Sequence, residues 1–396
     1  MPIVAGVDSS TQSVKVVLRD ADSGELVAST SRPHPDGSEV NPQHWWKALS
    51  EALDELSSHK ISAISIAGQQ HGMIALDKDG AVIRDALLWN DTRSDKAAED
   101  LNREIPDIAL RTGSQLVASF TASKVRWLAD SEKANANRVA AIALPHDWLS
   151  WKLSGAKSIE TLFTDRSDAS GTGYFDSRKN EYCLDILATA IRTNQEIILP
   201  KIIAPNQFGA TSTNSIPIAA GAGDNAGAAL GLGASLGDLV ISLGTSGTAF
   251  AISKSSTHDS SGEVAGFADA TGNFLPLACT LNAAKIFNTV AKSLSLSFEE
   301  FSSLALSAKV GAEGLRIIPH FDGERTPNKP SAKGSFYGIT HSNFTRENIA
   351  RASIEGVIAG MIYAARAVER QGVSYSRILL IGGAAKNSAV QQIAAD

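Results

Sequence analysis

The chain has 396 residues, 43% hydrophobic and 20% charged, with a formal net charge of −6 at pH 7. That length exceeds one hydrophobic core and points to two domains, while the acidic balance argues against nonspecific binding to nucleic acid. No run of about 18 uncharged apolar residues would span a membrane, and the N-terminus shows no basic segment, apolar signal core or cleavage site. Only Cys183 and Cys279 are present, so the expectation is a cytoplasmic protein with two buried thiols in a reducing compartment.

Strand-like and helical runs alternate, which argues for the α/β class. Ile3–Val7, Val14–Leu18 and Leu26–Ser31 are rich in β-branched residues or alternate in polarity, and read as a meander. Asn41 is placed as a helix N-cap with Pro42 at the first helical position, ahead of a run with helical apolar spacing. "ISAISIAG" predicts a further strand that ends at "GQQHG". From Asp95 to about Ser154 the pattern is mostly helical, and residues 155–215 are mixed. A second block begins near residue 216 with "SIPIAAGAGDNAGAALGLGA", then repeats a strand, polar turn and strand in "DLVISLGTSGTAFAISK". A helical run over Phe344–Gln371 follows, then the strand "RILLIGG" and the start of one more helix. The division expected from this pattern is 1–215 and 216–396, two duplicated units facing each other across a cleft.

The turns of the two blocks carry the chemistry. Between the first two strands stand Asp8 and the hydroxyl-rich stretch Ser9, Ser10, Thr11 and Gln12. Successive peptide N–H groups in such a turn make an anion-binding concavity, and small polar residues let a phosphate approach. Gly244, Thr245, Ser246 and Gly247 repeat that design, and two matching turns favour phosphate cradles over plain polar turns. Asp8, at a strand's carboxyl end, suits a divalent cation held through water, as Mg²⁺ prefers. In "AGAGDNAGAALG", Asp224 and Asn225 lie among small residues where a ligand could approach the backbone, and a lone carboxylate there suits proton abstraction; a Gly/Ala helix start capped by Asp224 is the competing reading. Gln69, Gln70 and His71 sit where open α/β sheets bind ligands, although a lone histidine is as often structural. Trp89, Asn90, Asp91 and Arg93 form a polar set that equally suits a solvated helix start. A dinucleotide fingerprint, a P-loop, a zinc site and a G-x-S-x-G elbow are all absent from the sequence.

In order along the chain, "GVDSSTQSVKVVL", "GQQHG" with "LLWNDTR", "SFTASKVRWLAD", "LPHDWL", "TDRSDASGT", "GAGDNAGAALG", "SLGTSGTAFA", "IIPHFDGERTPN", "GSFYGITHSNFTRENIARASIEG" and "LLIGGAAKNS" resemble the FGGY family of carbohydrate kinases, and within it most closely the branch acting on xylulose. Ser123 stands where the family commonly has proline. The resemblance implies two RNase-H-like domains of the actin/hexokinase ATPase type around a central cleft, and ATP-dependent phosphorylation of D-xylulose to D-xylulose 5-phosphate. By the same implication Asp224 is the general base and Asp8 organises Mg²⁺. Gln70, His71, Asp224 and Asn225 bind the sugar. Ser10, Thr11, Gln12, Thr245, Ser246 and Gly247 hold ATP phosphates, and Gly382, Gly383 and Ala384 face the adenosine. Other pentulose or polyol kinases, for ribulose or glycerol, and a non-sugar actin-like ATPase are the alternatives. A homodimer is compatible with the Gly-rich and Trp-bearing helices, which equally suit internal packing. Family members usually continue for about another hundred residues, the size of a small domain, so the second domain is expected to lack its C-terminal part and to bind ATP weakly or not at all, while the sugar loop is retained.

Overall fold

A computed structural model describes residues 2–193 and 195–396. Strands β1 (Ile3–Ser9) and β2 (Ser13–Asp20) form an antiparallel hairpin in which Val7 faces Val16 and Ser9 faces Val14. Alternation explains it: Val14, Val16 and Leu18 are fully buried, while Lys15 and Arg19 point to solvent, the period of a half-buried strand. Strand β3 (Leu26–Pro33) completes the meander on the far side of β2. Helix α1 (Pro42–Glu55) starts where expected, with the Asn41 side chain accepting from the Gln43 N–H. It buries Trp45, Ala48, Leu49 and Ala52, one stripe of a 3.6-residue period.

Strand β4 (Ile61–Gly68) runs parallel to β1. The mostly helical segment resolves into α2 (Asp95–Glu104), α3 (Thr121–Ser131) and α4 (Pro145–Ser154), with a short strand, Ala141–Ala143, before α4. Three later strands return to the first sheet: β5 (Phe208–Thr211), β6 (Pro217–Ala219) and β7 (Ala222–Gly223). The sheet order is β5-β6-β4-β1-β2-β3, with β7 also paired to β4. Trp45, Trp148 and Trp151 pack into its core with Val14, Val16, Ile64 and Ile66, so these Trp side chains serve packing within their own unit.

The compact units are Met1–Gly233 with Phe267–Phe274, and Ala234–Gly266 with Leu275–Asp396. The division therefore falls later than 215/216. The stretch just before residue 216 is the turn joining β5 to β6, closed by the Ser215 N–H on the Ser212 carbonyl. Beyond it, Ile218 pairs with Ile64, Ala222 with Ala67 and Gly223 with Gly68, which ties residues 216–233 to the first sheet. Asp224, assigned from sequence to the second block, belongs to the first unit, at the start of α5 (Asp224–Gly231).

In the second unit β8 (Asp238–Leu243) and β9 (Gly247–Ala251) form the second hairpin. With β10 (Val264–Ala268), β11 (Phe274–Thr280) and β12 (Arg377–Ile381) the sheet order is β10-β11-β9-β8-β12. The topology repeats that of the first unit: a central strand pairs antiparallel with its hairpin partner and parallel with a later strand, β1 with β4 and β8 with β12. Helices α6 (Ala284–Ser293) and α7 (Arg346–Arg370) cover this sheet, with Ile286, Phe287, Ile354, Val357 and Met361 against Leu239 and Ile241. The chain ends in α8 (Ser388–Ala395), capped by the Asn387 side chain. Cys279 is buried and Cys183 half-buried, and neither forms a disulfide. No helix among the described residues is long and apolar enough to cross a membrane.

Candidate active site

Because β1 and β7 both run parallel to β4, three carboxyl ends coincide in the first unit. Ser9 lies beside Gly68, and Gly68 beside Gly223. Asp8 is one residue before that level, Gln69, Gln70 and His71 follow it, and Asp224 follows it on the other flank of β4. Ligands of open parallel sheets bind at such ends. Five of the expected residues are thus brought together by strand register alone.

Asp224 is half-buried. Its Oδ1 accepts from the Asn225 peptide N–H at 2.7 Å and from Asn225 Nδ2 at 2.8 Å. Burial, reinforced by the negative charge of Asp8 and opposed by the Asn225 N–H groups, raises its pKa from 3.8 to about 6. Asp8 is itself held above the ordinary carboxylate value by desolvation, with Lys15 pulling the other way. Gly223 is required at the approach to this residue, since a Cβ there would lie 2.7 Å from the Gln70 side chain.

Gln70 and His71 are both buried. Gln70 Nε2 donates to the Ser167 carbonyl at 2.9 Å. The His71 Nδ1 donates to the Gly171 carbonyl at 2.6 Å, because a carbonyl can only accept. Its ring packs against Phe120 and Phe267 at centroid distances of 5.0 and 5.5 Å. The His71 backbone has φ +71°, an uncommon value for a residue with a side chain, and the Thr121 hydroxyl donates to its carbonyl. This local strain is of the kind that collects at functional sites.

The hydroxyls of the first hairpin turn are engaged within the fold. Ser10 donates its hydroxyl to the Ser13 carbonyl, and Thr11 Oγ1 accepts from the Trp89 indole at 2.9 Å while donating to Gln69 Oε1 at 3.3 Å. Ser10 and Thr11 therefore brace the turn, and Gln12 is its exposed residue. Trp89 enters as a support that sequence reading left in a plain polar set. Gln69 Nε2 is buried without a hydrogen-bond partner.

In the second unit the turn Thr245–Gly247 is tied to the start of α6: the Thr245 carbonyl accepts from Ala283 and Lys285, and the Gly244 carbonyl from Ala284. Thr245 is exposed and Ser246 half-buried. Gly382, Gly383 and Ala384 leave β12 directly beside it, since Ile381 pairs with Ser242. Gly382 has φ +99°, and a Cβ there would lie 2.5 Å from the Leu243 carbonyl oxygen. The two turn sets of the second unit expected to hold the nucleotide thus share one strand end.

Residues 3–231 match the N-terminal domain of the FGGY family of carbohydrate kinases, and residues 239–396 match its C-terminal domain. The chain belongs to the FGGY family of carbohydrate kinases. It is 41% identical to a xylulose kinase of Streptomyces coelicolor, over 99% of this chain and 82% of that protein. It is 33% identical to a xylulose kinase of Escherichia coli K12, over 99% of this chain and 84% of that one. Among solved structures, the xylulose kinase from Bifidobacterium adolescentis superposes with a TM-score of 0.90 at 42% identity, covering 99% of this chain and 87% of that one. Plasmodium falciparum glycerol kinase with ADP, at 21% identity and a TM-score of 0.87, shares the fold.

One cluster of this FGGY kinase was assigned no role from sequence, although His146, Asp147 and Asp168 lie in "LPHDWL" and "TDRSDASGT". His146, on α4, is fully buried with Nδ1 2.7 Å from Asp168 Oδ2 and 3.0 Å from Asp147 Oδ1. Its Nε2 lies 3.0 Å from the Ala220 carbonyl oxygen. The four residues come from α4, the short turn Arg166–Ala169 and the segment before β7, so no fixed spacing links them.

Proposed function

We propose that this chain transfers the γ-phosphoryl group of ATP to D-xylulose, giving D-xylulose 5-phosphate in cytoplasmic pentose catabolism. The observation that carries the reading is Asp224, a carboxyl held near pH 6 at the same strand end as Asp8, Gln70 and His71. A base with that pKa is ionised at neutral pH and still binds a proton well, the compromise general-base catalysis favours. Asp224 takes the proton of the attacking sugar hydroxyl, and Asn225 fixes its carboxylate. Gln70 and His71, each anchored to a carbonyl of the 167–171 segment, present a rigid wall to the sugar. The repulsion between Asp8 and Asp224 is what a divalent cation relieves, and carboxylate oxygens suit Mg²⁺, so Asp8 is the residue that would hold it. Bound there, the ion would offset phosphate charge. The peptide N–H groups of the turns at 10–12 and 245–247 serve the phosphates, and Gly382, Gly383 and Ala384 the adenosine.

A panel of ketopentoses, ketohexoses and polyols assayed with ATP tests the assignment. D-xylulose is expected to give the highest kcat/KM; preference for glycerol or ribulose redirects it within the family, and ADP release indifferent to every sugar would remove it. A pH series offers a second check. Because Asp224 must be ionised, log kcat/KM is expected to fall with unit slope below pH about 6 and to level off above it. An acid limb near pH 4 would mean that the base is an unperturbed carboxylate.

A further inference from the structure

We infer that His146 and Ser167 are positioning residues, which together fix the segment Ala220–Gly223 and thereby aim the carboxylate of Asp224. This rests on the reading of Asp224 as the base. Two side chains grip that segment from outside it: His146 Nε2 donates to the Ala220 carbonyl at 3.0 Å, and the Gly223 N–H donates to Ser167 Oγ at 3.1 Å. Between the two lies Gly221 with φ +80°, where a Cβ would meet the His146 ring at 2.4 Å. The segment is therefore pressed against the imidazole and held at both ends, and Asp224 is the next residue.

The grips are themselves braced. A carbonyl only accepts, so Nε2 carries a proton; with Asp168 ionised Nδ1 donates as well, and the ring is then an imidazolium. Burial works against that charge, but Asp147 and Asp168 outweigh it and hold the His146 pKa well above the ordinary value. Asp168 and Ser167 sit in one helical turn, whose N-terminus is capped by Asp165 accepting from both of their N–H groups. Asp147 closes the opposite side by accepting from the Leu144 N–H at the start of α4. The Ser167 carbonyl also accepts from Gln70 Nε2, so one turn sets the base segment through its side chain and the sugar wall through its backbone. Small misplacement of a reacting group is costly, of the order of 10²-fold for about 1 Å.

The experiment compares Ser167→Ala, His146→Gln and Asp224→Asn, with kcat and KM for D-xylulose, the sugar dissociation constant by calorimetry, and thermal unfolding. Ser167→Ala leaves the Ser167 carbonyl and Gln70 in place; it is expected to lower kcat about tenfold, with sugar KM and dissociation constant within about threefold of the original chain and little change in Tm. His146→Gln is expected to lower kcat further; should its orphaned carboxylates prevent folding, Ser167→Ala decides alone. If Asp224→Asn abolishes activity while Ser167→Ala keeps kcat within twofold, or loses kcat only in step with sugar affinity, the positioning role is overturned and the base stands. If Asp224→Asn keeps its kcat, the reading of the base is what fails.

Discussion

Replacing Asp224 by Asn is expected to cut kcat about 10³-fold, within the range a positioned general base contributes, and at the same time to make the protein more stable at neutral pH. The two effects share one cause. Burial and the Asp8 charge hold the carboxyl near 6, against 3.8 for an ordinary aspartate. Folding must therefore carry an ionised group in a place that disfavours the charge. That destabilises the native chain by on the order of 2 kcal/mol at pH 7.5, after allowing for partial exposure. The sign follows from linkage. A raised folded-state pKa means that the folded chain binds the proton more tightly than the unfolded one, so the penalty is fully present above about pH 6. It shrinks as pH falls and is gone below the unfolded value of 3.8. Asn, neutral throughout, removes it. Thermal unfolding of both proteins from pH 7.5 to pH 4 should show the variant ahead by several degrees at the alkaline end, with the gap closing toward acid. A gap independent of pH would mean that the stability change has nothing to do with the charge, and more than a tenth of the original kcat would mean that another group takes the proton.

The same site shows what local sequence can and cannot say. The hairpin turns, the Asn41 cap of α1, the strand β12 and helix α7 were all legible, because alternation, capping and helical spacing are written within a dozen residues. The partner of β6 was not. Its apolar run says strand, but that Ile218 pairs with Ile64 depends on two segments far apart in the chain, and so the unit boundary was set too early and Asp224 was placed in the wrong half. Gathering Asp8, Gln70, His71 and Asp224 at one strand end could be expected from their positions after strands; the props behind them could not. The His146–Asp168 pair joins two elements with no shared periodicity; its residues lie in two segments that carry the family resemblance, "LPHDWL" and "TDRSDASGT", but neither segment says that they meet. Nor could the bracing of Thr11 by Trp89 and Gln69 be read from the turn sequence alone.

Gly382→Ala is expected to raise the KM for ATP at least tenfold and lower Tm by several degrees, leaving the dissociation constant for the sugar unchanged. Gly382 leaves β12 at φ +99°, where an L side chain is strained, and its Cβ would stand 2.5 Å from the Leu243 carbonyl oxygen and 2.8 Å from the Leu243 nitrogen. Backbone cannot swing aside as a side-chain tip does, so the exit of β12 must move away from β8. Strain of this type costs about 1–3 kcal/mol, and the displaced atoms are the ones that carry Gly383 and Ala384. The neighbouring glycine separates strain from function. Gly383 has φ −60°, and a Cβ there meets nothing within 4 Å, so Gly383→Ala should leave Tm unchanged. The ATP affinity of Gly383→Ala then reports whether the nucleotide itself lies against that bare backbone: a weakened affinity at constant Tm places the ligand there. Gln70, His71 and Asp224, the residues proposed to bind the sugar, belong to the first unit and neither substitution touches them, so the sugar dissociation constant serves as the internal control. Gly382→Ala with unaltered Tm and unaltered KM for ATP would show that this turn is neither strained by a side chain nor used by the nucleotide.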